Sequence, residues 1–432
     1  MTRVTAAGRL VALDALRGLA AAVVLVHHIA MTVPAIANAY ESSDDVAFGS
    51  AVWWATLSPL KLLLAGPEFV LVFFVLSGFV LVRSPLAARG YDWIAYYPRR
   101  VIRLGVPVAA SIGLAAAWIV LIPNYGGDSG SAWLARQGDR PDLSLGNLLA
   151  EASIIGDHTR PDVNPPLWSL TWEMWFSLLL PVAVLIAALT RRPQLASRPV
   201  LRVMLWALAL CALCSFGYLA DVRPLMYLPT FALGALLAAN YEVLRERAAR
   251  LAAGPWGTAA WIGITALGPL LLIAYWLLRP FTDGPWSDLT LSLRVPGAFL
   301  IVAAVALWTP LQHPLTSRPL LWLGSISFSL YLVHFPVVVA LGGIFGPDSF
   351  GPVNFGRAYW WAGAVATVAV SLLLAHVMTA WVEHPAQKLA THTGAWFGAR
   401  FSPSSRTTTA TAKTATVRRR FSRGQTEPDT AD

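Results

Sequence analysis

Ten stretches of this chain are apolar for long enough to cross a lipid bilayer, and that property limits the fold more than any other. They lie near residues 12–34, 67–83, 101–122, 166–187, 201–220, 225–240, 257–278, 294–309, 320–340 and 359–382. A hydrocarbon core about 30 Å thick takes roughly 20 residues of helix, and within it each backbone amide must bond inside its own helix. The expected fold is therefore all-α, a polytopic membrane helix bundle of about ten transmembrane helices. Composition agrees: 56% of the 432 residues are hydrophobic, only 13% are charged, and the mean hydropathy is +0.58. A disordered chain, a coiled coil and an ordinary cytosolic enzyme are excluded. The two cysteines, Cys211 and Cys214, stand in one apolar run. They make no disulfide framework and read as helix packing.

The formal net charge of +9 would suggest nucleic acid in a soluble chain. With the N-terminus in the cytoplasm, however, 24 of the 32 Lys and Arg fall on the inner side, clustered at 99–103, 191–202 and 245–250. That asymmetry is what the positive-inside rule expects of an even number of spans with both termini cytoplasmic. Topology accounts for the charge, and no nucleic-acid partner is expected. Residues 53–65, interrupted by Pro59 and Lys61, read as an interfacial segment. A cleavable signal peptide ending near Ala35-Ile36-Ala37 is the competing reading of the start; Asp14, Arg17 and two histidines within the run speak against it. The exterior loop 123–165 is polar, too small for a domain but large enough to shape a site. Residues 1–390 are expected to form the transmembrane domain, and 391–432, rich in Thr, Ser and Arg, a disordered basic cytoplasmic tail.

Ionisable groups inside spans are costly, so each is a candidate for function. The first span carries Asp14, Arg17, His27 and His28. At 100° per residue Arg17 and His28 share a face, Asp14 lies about 40° from His28, and His27 is turned about 80° away. The same wheel also fits Arg17 snorkelling to headgroups and histidines bonding neighbouring helices. Counted along straight helices, His28, His334 and Glu173 all come to rest about 10 Å below the outer boundary. Two histidines and a carboxylate in one layer suit proton transfer, whether in catalysis or in a proton-coupled exporter. No metal site is expected, because the histidines lack ligand spacing. At the inner face Arg100 and Arg103 read as opening the third span. Arginines at a helix start make a phosphate site, although the same cluster also fits a plain topology signal.

Six segments carry a resemblance over nearly the whole length: LDALRGLAAAVVLVHH (13–28), FFVLSGFVL (73–81), RRVIRL (99–104), WSLTWEMWF (168–176), SFSLYLVHFP (327–336) and WVEHPAQKL (381–389). In this order the chain resembles the acyltransferase-3 family of integral-membrane acyltransferases. The resemblance implies that His28 is the catalytic histidine of an Arg-x10-His pattern begun by Arg17. It also implies that Arg100 and Arg103 meet the phosphates of an acyl-CoA donor, and that Glu173 is the acidic residue after Trp-Ser-Leu. Gly66-Pro67-Glu68 departs from the family pattern, and the soluble hydrolase-like domain that some members carry is expected to be absent.

The expected activity is O-acylation, an acyl group moving from acyl-CoA to a hydroxyl of a sugar, lipid-linked sugar, surface glycan or secondary metabolite. His28 would be the general base, with Glu173 or Asp14 fixing its tautomer and His334 as a further hydrogen-bond donor. Acyl-CoA is a co-substrate and no bound cofactor is expected. The small residues of Gly18–Ala22 and Gly342-Gly343 read as close helix packing. Three Lys against 29 Arg suggest a GC-rich genome. The expected place is the cytoplasmic membrane of a bacterial cell.

Overall fold

The computed structural model describes residues 10–88, 90–122, 131–138, 141–156, 161–191, 198–345 and 356–402, and these are helical with no strand among them. The principal helices are α1 (Val11–Met31), α2 (Gly66–Ala87), α3 (Trp93–Leu121), α4 (Trp168–Leu178), α5 (Leu180–Leu189), α6 (Pro199–Leu219) and α7 (Arg223–Ala239). They continue as α8 (Gly257–Leu272), α9 (Ala274–Leu278), α10 (Arg294–Leu307), α11 (Arg318–Phe345), α12 (Gly356–Met378) and α13 (His384–Phe401). Each of the ten apolar stretches falls on helix. Seven helices are long and apolar enough to cross a membrane, and two more stretches are helix pairs bent by 63° (α4–α5) and 68° (α8–α9). The tenth, α7, is a shorter apolar helix.

The first helix occupies the centre, between α2 and α11. Small residues allow this approach: a Cβ on Gly18 would strike the backbone of Gly324, and one on Gly324 the backbone of Asp14. The Gly18 patch is thus used for packing. So is Gly342, whose Cβ would lie 3.0 Å from Thr32 and 3.2 Å from Leu134. Elsewhere Cys214 is buried beside Thr230.

Three expectations need correction. The helix α13 runs to Phe401, so residues 391–401 are not part of a structureless tail; residues 403–432 lie outside the described residues. It docks on α3, where Gly394 and Gly398 let the backbones approach and Ser402 Oγ donates to Asp92 at 2.6 Å. Residues 53–65 expose Trp54, Leu60 and Leu63, as an interfacial segment does, but the charge that interrupts them does not face outward. Lys61, on a 3-10 turn at Pro59–Leu64, is fully buried. Its ammonium donates to the Leu64 carbonyl at 2.9 Å, lies 3.7 Å from Glu68 and sits over the rings of Trp276 and Tyr40. A paired ammonium cradled by aromatic faces can be buried where an isolated one cannot. Third, α3 begins at Trp93 with Asp92 as its N-cap, accepting from the Ala95 amide at 3.0 Å. Arg100 and Arg103 therefore lie two to three turns inside the helix, away from the dipole end that would favour an anion.

Candidate active site

His28 and His334 meet. α1 and α11 are each unbroken, so both imidazoles reach the same height, and His28 Nδ1 lies 3.0 Å from His334 Nε2. The hydrogen-bond pattern assigns the tautomers. His334 Nδ1 is 3.1 Å from the Leu330 carbonyl one turn back, and a carbonyl can only accept. His334 therefore carries its proton on Nδ1, and its Nε2 is an acceptor. His28 Nδ1 must then be the donor. The consequence is chemical: Nε2 of His28 keeps a free lone pair. His334, expected as a donor, serves instead as the acceptor that fixes the base.

The His28 ring is walled by aromatic groups. Trp133 lies nearly parallel to it at a centroid distance of 5.9 Å and an interplanar angle of 21°, Phe335 meets it edge-on at 5.2 Å, and His334 sits at its Nδ1 edge with 5.1 Å between centroids. The side chain remains half-buried. His27 is different in kind. It is 6% exposed, its Nδ1 is 3.0 Å from the Leu64 carbonyl and 3.1 Å from the Tyr40 hydroxyl, and its ring rests on Gly66, where a Cβ would come within 2.6 Å. This is a packing histidine.

Glu173 does not join the histidine layer. Its carboxylate takes the Arg100 guanidinium at 2.5 Å and the Ser77 hydroxyl at 3.3 Å, while Arg100 Nε donates to Ser177 Oγ at 2.8 Å. The depth count fails here because the chain is already inside the bundle before the helix starts: Asn164 is fully buried and donates to the Leu332 carbonyl at 2.9 Å, so Glu173 lies well beyond the level of the histidines. Asp14 is also removed from His28. Fourteen residues separate them on the continuous α1, about 21 Å along its axis, so Asp14 cannot orient that imidazole.

Below the histidines lies a cavity with about 370 Å3 of empty space, part of it open to the outside. Arg17, Ser77, Ser169 and Glu173 give it polar walls; Phe73, Phe74 and Phe328 give it apolar ones. Tyr331, held by Ser169 at 2.8 Å and by the Pro166 carbonyl at 3.0 Å, bounds the cavity, and its ring is 5.7 Å from that of His334. Arg17 reaches over Phe328 at 6.0 Å. Arg103 is exposed and within electrostatic reach of Arg17, Arg100, Glu173 and Glu383.

Several site residues had no role in the sequence reading. Glu383, in a π-helical turn at Thr379–Glu383, is 9% exposed and accepts from Ser329 at 2.8 Å and Gln387 at 3.1 Å. Such a turn leaves no periodic trace, although the motif WVEHPAQKL contains it. Trp133 comes from a short helix between the third and fourth apolar stretches, where periodicity says nothing about contacts. The Lys61–Glu68–Trp276 cluster joins residues more than 200 apart, with Trp276 Nε1 donating to Glu68 at 2.8 Å.

Comparison with known proteins identifies the family. Residues 10–376 match a sequence family described as an acyltransferase domain. Among the similar proteins is the acyltransferase MdmB of Streptomyces mycarofaciens, 29% identical over 88% of this chain and 92% of its own length. A protein of Komagataeibacter xylinus named as the membrane-bound transacylase BcsY is 26% identical over 71% of this chain and 73% of the relative. A protein of Bacillus subtilis named as the peptidoglycan O-acetyltransferase YrhL is 25% identical over 73% of this chain, which spans 49% of that relative. No solved structure matches the chain significantly.

Proposed function

The chain belongs to the acyltransferase-3 family and is a membrane O-acyltransferase, and from that premise we propose that it carries an acyl group from acyl-CoA to a hydroxyl of a sugar, glycan or secondary metabolite, with His28 as general base. The observation that carries the proposal is the His28–His334 hydrogen bond, which leaves His28 Nε2 unprotonated. The acceptor hydroxyl gives its proton to that nitrogen as its oxygen attacks the thioester carbonyl. When the tetrahedral intermediate collapses, the C–S bond breaks and the imidazolium returns the proton to the leaving thiolate. Throughout, Nδ1–H stays bonded to His334, which stabilises the imidazolium and holds the ring.

The donor enters from the cytoplasmic side in this reading, through ten spans with both termini inside a bacterial cell membrane. Arg17 and Arg103 are the cations offered to its phosphates, since Arg100 is committed to Glu173 and Ser177. From Arg17 to His28 the rise along α1 is about 16 Å, and the cavity bounded by Tyr331 occupies the space between. Family membership supports this enzyme over a proton-coupled exporter built on the same polar layer.

The test uses purified full-length protein with radiolabelled acetyl-CoA and cell-wall or metabolite extracts. Loss of the thioester together with label appearing in a hydroxyl ester is expected. Binding without turnover across short acyl-CoAs would return the protein to a carrier or scaffold role. Topology is checked by reporter fusions, expected inside after Arg400 and outside within 141–156.

A further inference from the structure

The exterior segment that follows residue 130 does more than bound the bundle. Its short helix, Ala132–Gly138, is seated on α11 and on the short helix Pro34–Glu41 that follows α1. Ser131 Oγ donates to the Met31 carbonyl at 2.9 Å, Leu134 is fully buried, and Arg136 pairs with Glu41. This seating places the Trp133 indole nearly parallel to the His28 ring, at 5.9 Å, and edge-on to Phe335 at the same distance. His334 holds the Nδ1 edge. With Nδ1 engaged by His334, the nitrogen left to accept a proton is Nε2.

An acyltransferase with an unprotonated histidine near the outer surface faces a competing reaction. Water can take the acceptor's place: its oxygen bonds to the thioester carbonyl carbon, its proton goes to His28 Nε2, and the C–S bond breaks. The thiolate then recovers that proton, leaving free acid and CoA. Water exclusion is the general remedy in a transferase site. We propose that Trp133 determines the balance between acyl transfer and hydrolysis by roofing the His28 imidazole against water. The inference rests on the reading of His28 as base. Trp133 acts through shielding, so it is a specificity-determining residue and needs no proton of its own. The flanking aromatic edge of Phe335 closes the same wall, and both rings offer water no acceptor or donor at the His28 edge save the indole N–H.

Two measurements on the full chain in detergent or nanodiscs test this separately from the reaction assignment. The first is CoA release from acetyl-CoA without any acceptor, in wild type, Trp133→Ala, Trp133→Phe and the double variant Trp133→Ala/His28→Ala. Trp133→Ala should release CoA several-fold faster than wild type, Trp133→Phe should stay near wild type, and the double variant should lose the gain. The second is carbethoxylation of His28 by diethyl pyrocarbonate, followed by peptide mass spectrometry with His313 as internal reference. Labelling of His28 should speed up in Trp133→Ala while His313 is unchanged. Trp133→Leu replaces Trp133→Ala should the latter not purify as a monodisperse protein. Unchanged labelling overturns the roof, whatever CoA release does. Faster labelling with no increase in CoA release, in a protein that does transfer acyl groups, overturns the role in hydrolysis. Faster labelling in a protein with no turnover of any kind keeps the shielding geometry and sinks the acyltransferase mechanism instead.

Discussion

Replacing Arg100 by Ala should damage the fold before it damages donor recognition. The Arg100 and Glu173 side chains are 9% and 17% exposed, they meet at 2.5 Å, and Arg100 also donates to Ser177. Removing one member of a buried pair strands the other charge and costs about 3–5 kcal/mol. Because Glu173 borders the open cavity, water partly compensates, and a loss of about 3 kcal/mol is expected. Removing both charges with Arg100→Met/Glu173→Leu should restore most of the stability, since no orphaned charge remains. Arg103→Ala is the contrast. That exposed guanidinium should contribute little to stability but about 1.5–3 kcal/mol to donor phosphate binding, a ten- to hundredfold rise in donor KM. The assay is the temperature at which half of the purified protein stays monodisperse, read beside donor KM. Arg100→Ala with wild-type heat resistance and a raised KM would refute the reasoning and make Arg100 a phosphate ligand.

His334→Leu removes the acceptor that fixes His28 and should cut kcat about 10²-fold or more, while His334→Gln, which keeps an acceptor oxygen, should lose less; steady-state kinetics at fixed donor saturation decides. His27→Ala should lower heat resistance through the lost Leu64 and Tyr40 contacts, with kcat per folded molecule nearly intact. Lys61→Met should cost about 3–5 kcal/mol by stranding Glu68, and Lys61→Met/Glu68→Gln should recover part of it in the same thermal assay. Turnover should fall as pH drops and His28 takes up a proton on Nε2, because only its neutral form is a base; the acid limb should be absent from whatever activity His28→Ala retains.

The helices were legible because the bilayer imposes a minimum apolar length, which holds for every span. His28 and His334 could be matched because depth counts work along unbroken helices, and α1 and α11 are unbroken. The same count misplaced Glu173, since the polar approach to that helix is already buried at Asn164 and nothing in its apolar pattern announces this. Arg100 was read as a helix start because Pro98 looks like one, yet Asp92 supplies the cap two turns earlier. Lys61 was misread for a related reason. A lone charge in an apolar run signals surface unless its partners are known, and Trp276 lies far away in sequence. Trp133 and Glu383 were invisible because a loop contact and a π-turn follow no period.

The central claim is that His28 Nε2 removes the acceptor's proton, and the most direct measurement is the kinetic profile of His28→Ala in purified, monodisperse protein. The proposal predicts that kcat falls about 10²–10⁴-fold while acetyl-CoA affinity, which it assigns to Arg103 and to Arg17, about 16 Å from His28 along α1, stays close to wild type. A His28→Ala protein that turns over acetyl-CoA at the wild-type rate would contradict the account and move the chemistry to the Glu173 side of the cavity.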